Sequence, residues 1–241
     1  MTTLEAIDKR KSRRTYLDMP IQKEKLDVLQ SLIEQYNKEE NLSIQLIEDG
    51  SEAFKGFRKS FGMFKGVRTI IAMIGKKNET HLKEKIGYYG ELLVLEATKM
   101  DLGTCWVGGT FSNDDNVVKI QPDESLICVI TVGYVDKESL KEKVIHGIAT
   151  RKAKTIHDLY TTDCPVSERF LKGVEAVLKA PSANNRKKVK IEYREGEMKA
   201  FVENTNKFDL VDLGIAKAHF QIAANTRFDW GNGGKIYKMS Y

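Results

Sequence analysis

The sequence predicts an α+β protein in which amphipathic helices flank a central sheet. Three observations carry that prediction. Apolar residues recur at helical spacing over residues 26–36. Two β-branched runs, residues 69–74 and 126–134, have the length and apolar character of central strands. A helix followed by a strand then recurs 145 residues further on, after Pro165, in the register first met after Pro20.

The elements follow in order. Thr2 stands three residues before Glu5, a capping box that opens a short helix ending near Arg10. The next residues, Arg10-Lys11-Ser12-Arg13-Arg14-Thr15-Tyr16, form a cationic turn. Beyond Pro20, Leu26, Leu29, Leu32, Ile33 and Tyr36 fall on one helical face. Residues 43–47 alternate like a strand, and residues 69–74 read as a buried strand ended by Gly75. Residues 80–102 form the longest helical pattern, apolar on most sides over 88–95. Such a helix belongs in the middle of a protein, and Gly103 is expected to stop it.

At the 145-residue offset Leu26 meets Leu171, Leu29 meets Val174, Leu32 meets Val177 and Ile33 meets Leu178. Ile44 and Leu46 meet Val189 and Ile191 in the same frame. A second long helical pattern, residues 213–225, echoes the first in a less clear register. The copies differ at their turns. Residues 35–40 are Gln-Tyr-Asn-Lys-Glu-Glu, whereas 180–185 are Ala-Pro-Ser-Ala-Asn-Asn, and the cationic turn has no counterpart before Pro165. The expected organisation is a first repeat over 1–160 and a shorter second repeat over 161–241, together one compact domain.

Composition narrows the function. The 241 residues are 41% hydrophobic and 30% charged, an ordinary globular balance. The net charge of +5 raises the question of nucleic acid. Its lysines alternate with acids, as in Lys23-Glu24-Lys25, and no zinc-finger, basic-zipper or RNA-binding aromatic motif is present. The excess charge suits a small anionic ligand, so no nucleic-acid partner is expected. No run approaches the ~20 apolar residues of a membrane helix, and no signal-peptide pattern opens the chain. Three cysteines without metal-ligand spacing fit a reducing cytoplasm.

The motifs carry the chemistry. Arg10, Ser12 and Arg14 at alternate positions point the same way if the segment is extended. Guanidinium groups grip phosphate with fixed geometry, and a serine hydroxyl adds a directional bond. Pro181 ends the preceding helix, leaving Ser182 and Asn185 as polar groups at a turn. Gly108 and Gly109 permit close backbone approach to a planar ligand. Arg151, Lys152 and Lys154 suit either a phosphate site or a surface cluster. Phe57, Phe61, Met63 and Phe64 suit core packing or a flap beside a ring. His219, in an apolar helix, reads as a core histidine. No hydrolytic triad, metal cluster or dinucleotide fingerprint is legible.

On these residues the chain resembles the FMN-dependent nitroreductase family. The matching segments are Arg10-Lys11-Ser12-Arg13-Arg14, Ala180-Pro181-Ser182-Ala183-Asn184-Asn185, Gly103-Thr104-Cys105-Trp106-Val107-Gly108-Gly109 and Arg151-Lys152-Ala153-Lys154. That family usually holds its flavins between two subunits. Here the motifs sit in different internal copies, so the chain resembles a single-chain branch in which one polypeptide mimics the dimer. The resemblance implies a nitroreductase-like fold: a central mixed or antiparallel sheet flanked by helices, in two interlocked quasi-repeats. It implies bound FMN, reduced transiently by NAD(P)H, that passes hydride to a small, possibly aromatic, acceptor. The implied cofactor contacts are Arg10, Lys11, Ser12, Arg14, Val107, Gly108, Gly109, Arg151, Lys154, Pro181, Ser182 and Asn185. No catalytic side chain and no metal are implied, and a monomer suffices because the chain holds both halves of the site. The usual Gln-Pro-Trp continuation is replaced by Arg186-Lys187-Lys188. The alternatives are a flavin-binding protein without NAD(P)H oxidoreductase activity, or another FMN chemistry such as reductive dehalogenation.

Overall fold

The short first helix forms where its capping box requires. Thr2 Oγ1 accepts from the Glu5 amide (3.2 Å), and the Glu5 carboxylate accepts from the Thr2 amide (2.7 Å). This computed structural model describes residues 1–54, 63–109, 111, 117–138, 142–144, 147 and 154–238. Helix α1 spans Thr3–Lys9 and α2 spans Lys23–Glu40, where Asn41 turns left-handed and ends it. The helical face read from the spacing is the buried one: Leu26, Leu29, Ile33 and Tyr36 all point inward. Each fully buried aliphatic side chain here contributes about 1.5–3 kcal/mol.

Strands β1 (Gln45–Ile47), β2 (Thr69–Lys76), β3 (Gly103–Val107) and β4 (Glu124–Gly133) form an antiparallel sheet in the order β1-β2-β4-β3. Helix α3 (Leu82–Lys99) covers it. The expected stop at Gly103 comes earlier. Met100 caps the helix, Asp101 turns left-handed (φ 62°), and Gly103 instead opens β3.

The second half contains β5 (Tyr160–Thr162), α4 (Glu168–Lys179), β6 (Lys190–Arg194) and β7 (Glu197–Phe201). Helix α5 (Asp209–Ala224), β8 (Thr226–Phe228) and β9 (Lys235–Lys238) follow. Its strands build a second sheet, ordered β5-β6-β7-β9-β8, with β5 parallel to β6 and the other pairs antiparallel. The helices are therefore shared between two sheets, each with its own apolar core.

Helices α3 and α5 meet at the centre through two glycines. A methyl group on Gly87 would stand 2.0 Å from the Val211 carbonyl oxygen, and one on Gly214 would stand 1.9 Å from that of Glu84. The two contacts are reciprocal: each glycine sits three residues after the residue whose carbonyl meets the other glycine. They relate the long helices at an offset of 127 residues, and so supply the register that the sequence pattern left unclear. The shortening relative to 145 falls between strands. Residues 48–68 connect β1 to β2, whereas Glu195 and Gly196, both at positive φ, connect β6 to β7.

The same interface buries charge. Lys217 Nζ lies 2.5 Å from Glu84 Oε1 and donates to the carbonyls of Asp229 (2.9 Å) and Gly231 (3.0 Å). The Gly231 amide donates to the other Glu84 oxygen (2.7 Å). One buried pair thus clamps the β8–β9 connection onto both central helices.

Candidate functional site

After α1 the chain runs extended along the free edge of β3. Ser12 bridges in parallel to Thr104, and the Arg13 amide donates to the Thr104 carbonyl (2.8 Å). Extension forces alternation. Arg10, Ser12 and Arg14 face Cys105, whose thiol is pushed up by burial while both arginines and the Ser12 hydroxyl oppose that shift. Lys11 and Arg13 face the other way. The Lys11 side chain is 62% exposed and 3.5 Å from Glu138. Arg13 donates to Glu142 (3.3 Å) and to the Asp136 carbonyl (2.8 Å). Glu142 also accepts from the amides of Arg14 (2.7 Å) and Thr15 (3.1 Å). The backbone of the cationic turn is thereby occupied, which leaves Arg10 Nε and Arg14 Nη1 as donors without a hydrogen-bond partner among the described residues.

Arg10 reaches the far half of the chain. One of its terminal nitrogens donates to the Lys179 carbonyl (3.2 Å), and its Nε lies 3.8 Å from buried Glu91. The cationic turn and the end of α4 are therefore neighbours. Pro181 follows that end, where Ala180 leaves the helix with ψ 141°. The bend beyond it is closely held. The Ala183 amide donates to both oxygens of Asp212 (3.0 Å each), and the Asn185 amide to the Ser182 carbonyl (2.9 Å). Ser182 Oγ accepts from the Lys187 amide (3.0 Å), and Lys154 Nζ donates to the Lys187 carbonyl (2.8 Å). Lys187 Nζ donates to the Ala180 carbonyl.

Burial sets the electrostatics of this bend. It pushes the Asp212 carboxyl up to about 7, against the Ala183 hydrogen bond. It pulls the Lys187 ammonium down to about 8, helped by repulsion from Arg10. The Lys154 ammonium is also lowered, by burial and by Lys190.

The glycine segment closes the third side. Val107 is buried at the end of β3. A methyl on Gly108 would meet the Phe208 ring at 2.4 Å, whereas one on Gly109 would meet nothing within 4 Å. Trp106 donates to Glu91 (2.9 Å), and His219 Nε2 lies 2.8 Å from the other Glu91 oxygen. His219 Nδ1 faces the Ala176 carbonyl (2.9 Å), so this histidine is the satisfied core residue its helix suggested. Glu91 joins β3, α3, α5 and the cationic turn at one buried carboxylate.

Two observations test whether a phosphorylated, planar cofactor fits. Arg10 Nε and Arg14 Nη1 are buried without a hydrogen-bond partner among the described residues. Leaving such donors unmatched costs about 1–3 kcal/mol or more each, a cost an oxygen-rich anion removes. Among the described residues nothing lies within 4 Å of a methyl placed on Gly109, at the backbone end of the site. The residues present fit FMN.

The fold brings Arg10, Ser12, Arg14, Val107, Gly108, Lys154, Pro181 and Ser182 into one neighbourhood. Lys11 points away from it, and Asn185 is exposed. Arg151, Lys152, Phe57 and Phe61 lie outside the described residues. Phe64 packs edge-on against Phe54 in an apolar cluster, the core alternative for that segment. Sequence reasoning missed Glu91, Lys187, Phe208 and Asp212. Glu91 had a signal: a carboxylate inside an otherwise apolar stretch of central helix needs a buried partner.

Among described residues, no helix is long and apolar enough to cross a membrane. A structure from Thermotoga maritima, described as a putative nitroreductase, shares the fold with a TM-score of 0.67 at 23% identity, covering 98% of this chain and 93% of that one. An FMN-dependent nitroreductase from Clostridium difficile matches 56% of this chain and 88% of its own, at 23% identity and a TM-score of 0.45. A nitroreductase with bound FMN from Bacteroides fragilis matches 58% and 91%, at 16% identity and a TM-score of 0.45. No curated protein matches the chain. The model of the family described as "Putative TM nitroreductase" matches residues 2–224, nearly the whole length, and the chain belongs to that family.

Proposed function

We propose that this protein is an FMN-dependent oxidoreductase of nitroreductase type, with one flavin per chain. The observation that carries the reading is the pair of buried, unmatched arginine donors, Arg10 Nε and Arg14 Nη1, facing the edge of β3. FMN, when bound, would supply the chemistry, hydride transfer from NAD(P)H to a small acceptor, aromatic ones included. The protein's residues hold and tune it. Arg10 and Ser12 serve the phosphate and ribityl end, and Lys154 closes that end from the second half. Arg14 serves the pyrimidine edge of the ring, where a cation favours the reduced state. Val107, Gly108 and Gly109 would hold the ring with their backbone, and the bend at Pro181, Ser182 and Asn185 would line it from the second half. No side chain acts as an acid or base in this reading. Lys11 stands at the margin, and Arg151 joins as a proposed phosphate contact from its motif alone. Both halves of the site lie in one chain, so a monomer suffices. Residues 1–160 and 161–241 act as two repeats of one domain, and free cysteines suit a cytoplasmic setting.

The test is the visible spectrum of freshly purified protein, followed anaerobically after NADPH or NADH is added. Flavin absorbance at one FMN per chain, bleached by the nicotinamide, is the expected result. A colourless protein that FMN cannot reconstitute removes the reading. Phe208 against Gly108 favours a second one, because its ring narrows the approach to the glycine segment. A flavin carrier would show bound FMN that neither nicotinamide bleaches.

A further inference from the structure

We propose that Lys187 selects a phosphorylated flavin, its ammonium pairing with the terminal phosphate beside Arg10. This rests on the flavin reading above and adds a residue from the stretch that departs from the family pattern.

Three observations carry it. The first is conformational. Asn184, Asn185 and Lys187 all adopt left-handed backbone (φ 52°, 54° and 48°). Asparagine tolerates that region, but lysine seldom enters it. The conformation persists because the bend is over-determined: Ser182 Oγ holds the Lys187 amide, Lys154 holds its carbonyl, and Asp212 holds the Ala183 amide. The result separates three consecutive basic residues. Arg186 is exposed, Lys188 pairs with Asp209 (2.9 Å) and Thr205 (2.8 Å), and Lys187 turns inward.

The second is the partner. Lys187 Nζ rests on the neutral Ala180 carbonyl, and among the described residues no carboxylate forms an ion pair with it. The third is the neighbour. Arg10 is close enough to repel the ammonium, and its own Nε lacks a hydrogen-bond partner among the described residues. Glu91 and Asp212 also face this place from α3 and α5. Glu91 is engaged by Trp106 and His219 and lies 3.8 Å from Arg10 Nε, and Asp212 is engaged by Ala183. Two partly buried cations that repel one another gain from a further anion placed between them. A phosphate dianion is such a bridge, and riboflavin, which has no phosphate, is not.

The experiment compares FMN and riboflavin binding by flavin fluorescence in the full-length protein, in Lys187→Met, in Lys187→Arg and in Lys188→Met. The expected result is a loss of about tenfold or more in FMN affinity in Lys187→Met, with riboflavin affinity unchanged. Lys187→Arg restores most of the preference, and Lys188→Met retains it. The preference for FMN falls as pH rises from 7 to 9, because Lys187 loses its proton there while Asp212 has gained charge. Lys187→Met flattens the upper part of that profile, and Asp212→Asn the lower. Equal losses for both flavins in Lys187→Met would reduce Lys187 to a cap on α4 and overturn the proposal. So would unchanged affinities, or a parent protein with no preference for FMN. A parent that binds neither flavin overturns the flavin reading itself, an outcome distinct from any of these.

Discussion

The two ends of the central helix pair differ sharply. At the Arg10 end, cations from both halves gather around the bend, and among the described residues two arginine donors lack a hydrogen-bond partner and nothing lies within 4 Å of a methyl on Gly109. At the Lys217 end, Glu84 matches the buried cation and aromatic rings pack around Tyr88. Tyr88 packs edge-on against Tyr89, Phe228 and Trp230, with centroids 5.0, 5.3 and 5.6 Å away. Tyr36 lies 4.8 Å from Tyr89, whose hydroxyl donates to Glu40 (2.7 Å). Lys85 bridges Glu40 (3.1 Å) and Glu79 (2.7 Å). Glu40 ends α2 at the offset where Asn185 stands in the second half. Similar helices thus frame both places, and side chains alone make one a binding site and the other core. The comparison predicts one flavin per chain for a physical reason: aromatic rings and matched ion pairs occupy the second place where the first presents cations.

Four measurements test the contrast between the two ends. The largest effect belongs to Lys217→Met. It leaves Glu84 buried without its cation, and a loss of about 3–5 kcal/mol in urea unfolding is expected, with FMN affinity of the folded protein retained. A loss below about 1 kcal/mol would mean the clamp is not what holds that end. Next is pH. Asp212 has a folded value near 7, above its unfolded one, so its stabilising contribution is complete below about pH 4 and lost as pH rises through 7. The slope corresponds to an effect on the order of 4 kcal/mol, and Asp212→Asn should abolish it. If the variant and parent show the same pH slope, the buried carboxyl is not titrating there.

Gly214→Ala and Gly87→Ala should each cost about 1–3 kcal/mol by forcing α3 and α5 apart. Similar costs are expected from the reciprocal contacts, and a neutral substitution at either position would contradict the close approach. The smallest effect is Arg14→Ala, which should weaken FMN about tenfold and lower its reduction potential. Unchanged affinity and potential would take Arg14 out of the site.

Much of this arrangement is legible in the sequence, for identifiable reasons. Helix α2 shows because Leu26, Leu29 and Ile33 keep the helical period, and β2 and β4 show because both are apolar over most of their length. In the second sheet β6 shows through Val189 and Ile191, and the other strands do not. They are three to five residues long and one face of β7 is wet, so Glu197-Met198-Lys199-Ala200-Phe201 looks like loop. Strand β3 hides behind Gly103, which reads as a helix stop. In the site, the alternation of Arg10, Ser12 and Arg14 is visible, and the same alternation explains why Lys11 departs. Lys187 and Asp212 are invisible because their meaning depends on a bend that folds back onto a helix 25 residues later. Lys217 resembles any helical surface lysine until Glu84, 133 residues away, is brought beside it.

The reciprocal glycine contact has a further consequence. In an assembly of two identical subunits, any substitution appears at both ends of the helix pair, so neither end can change without the other. Here Gly87 and Gly214 belong to one polypeptide, and each end mutates alone. Aromatic filling at Trp230 and a lysine at position 187 are changes that such independence permits, since neither is copied to the place where it would do harm.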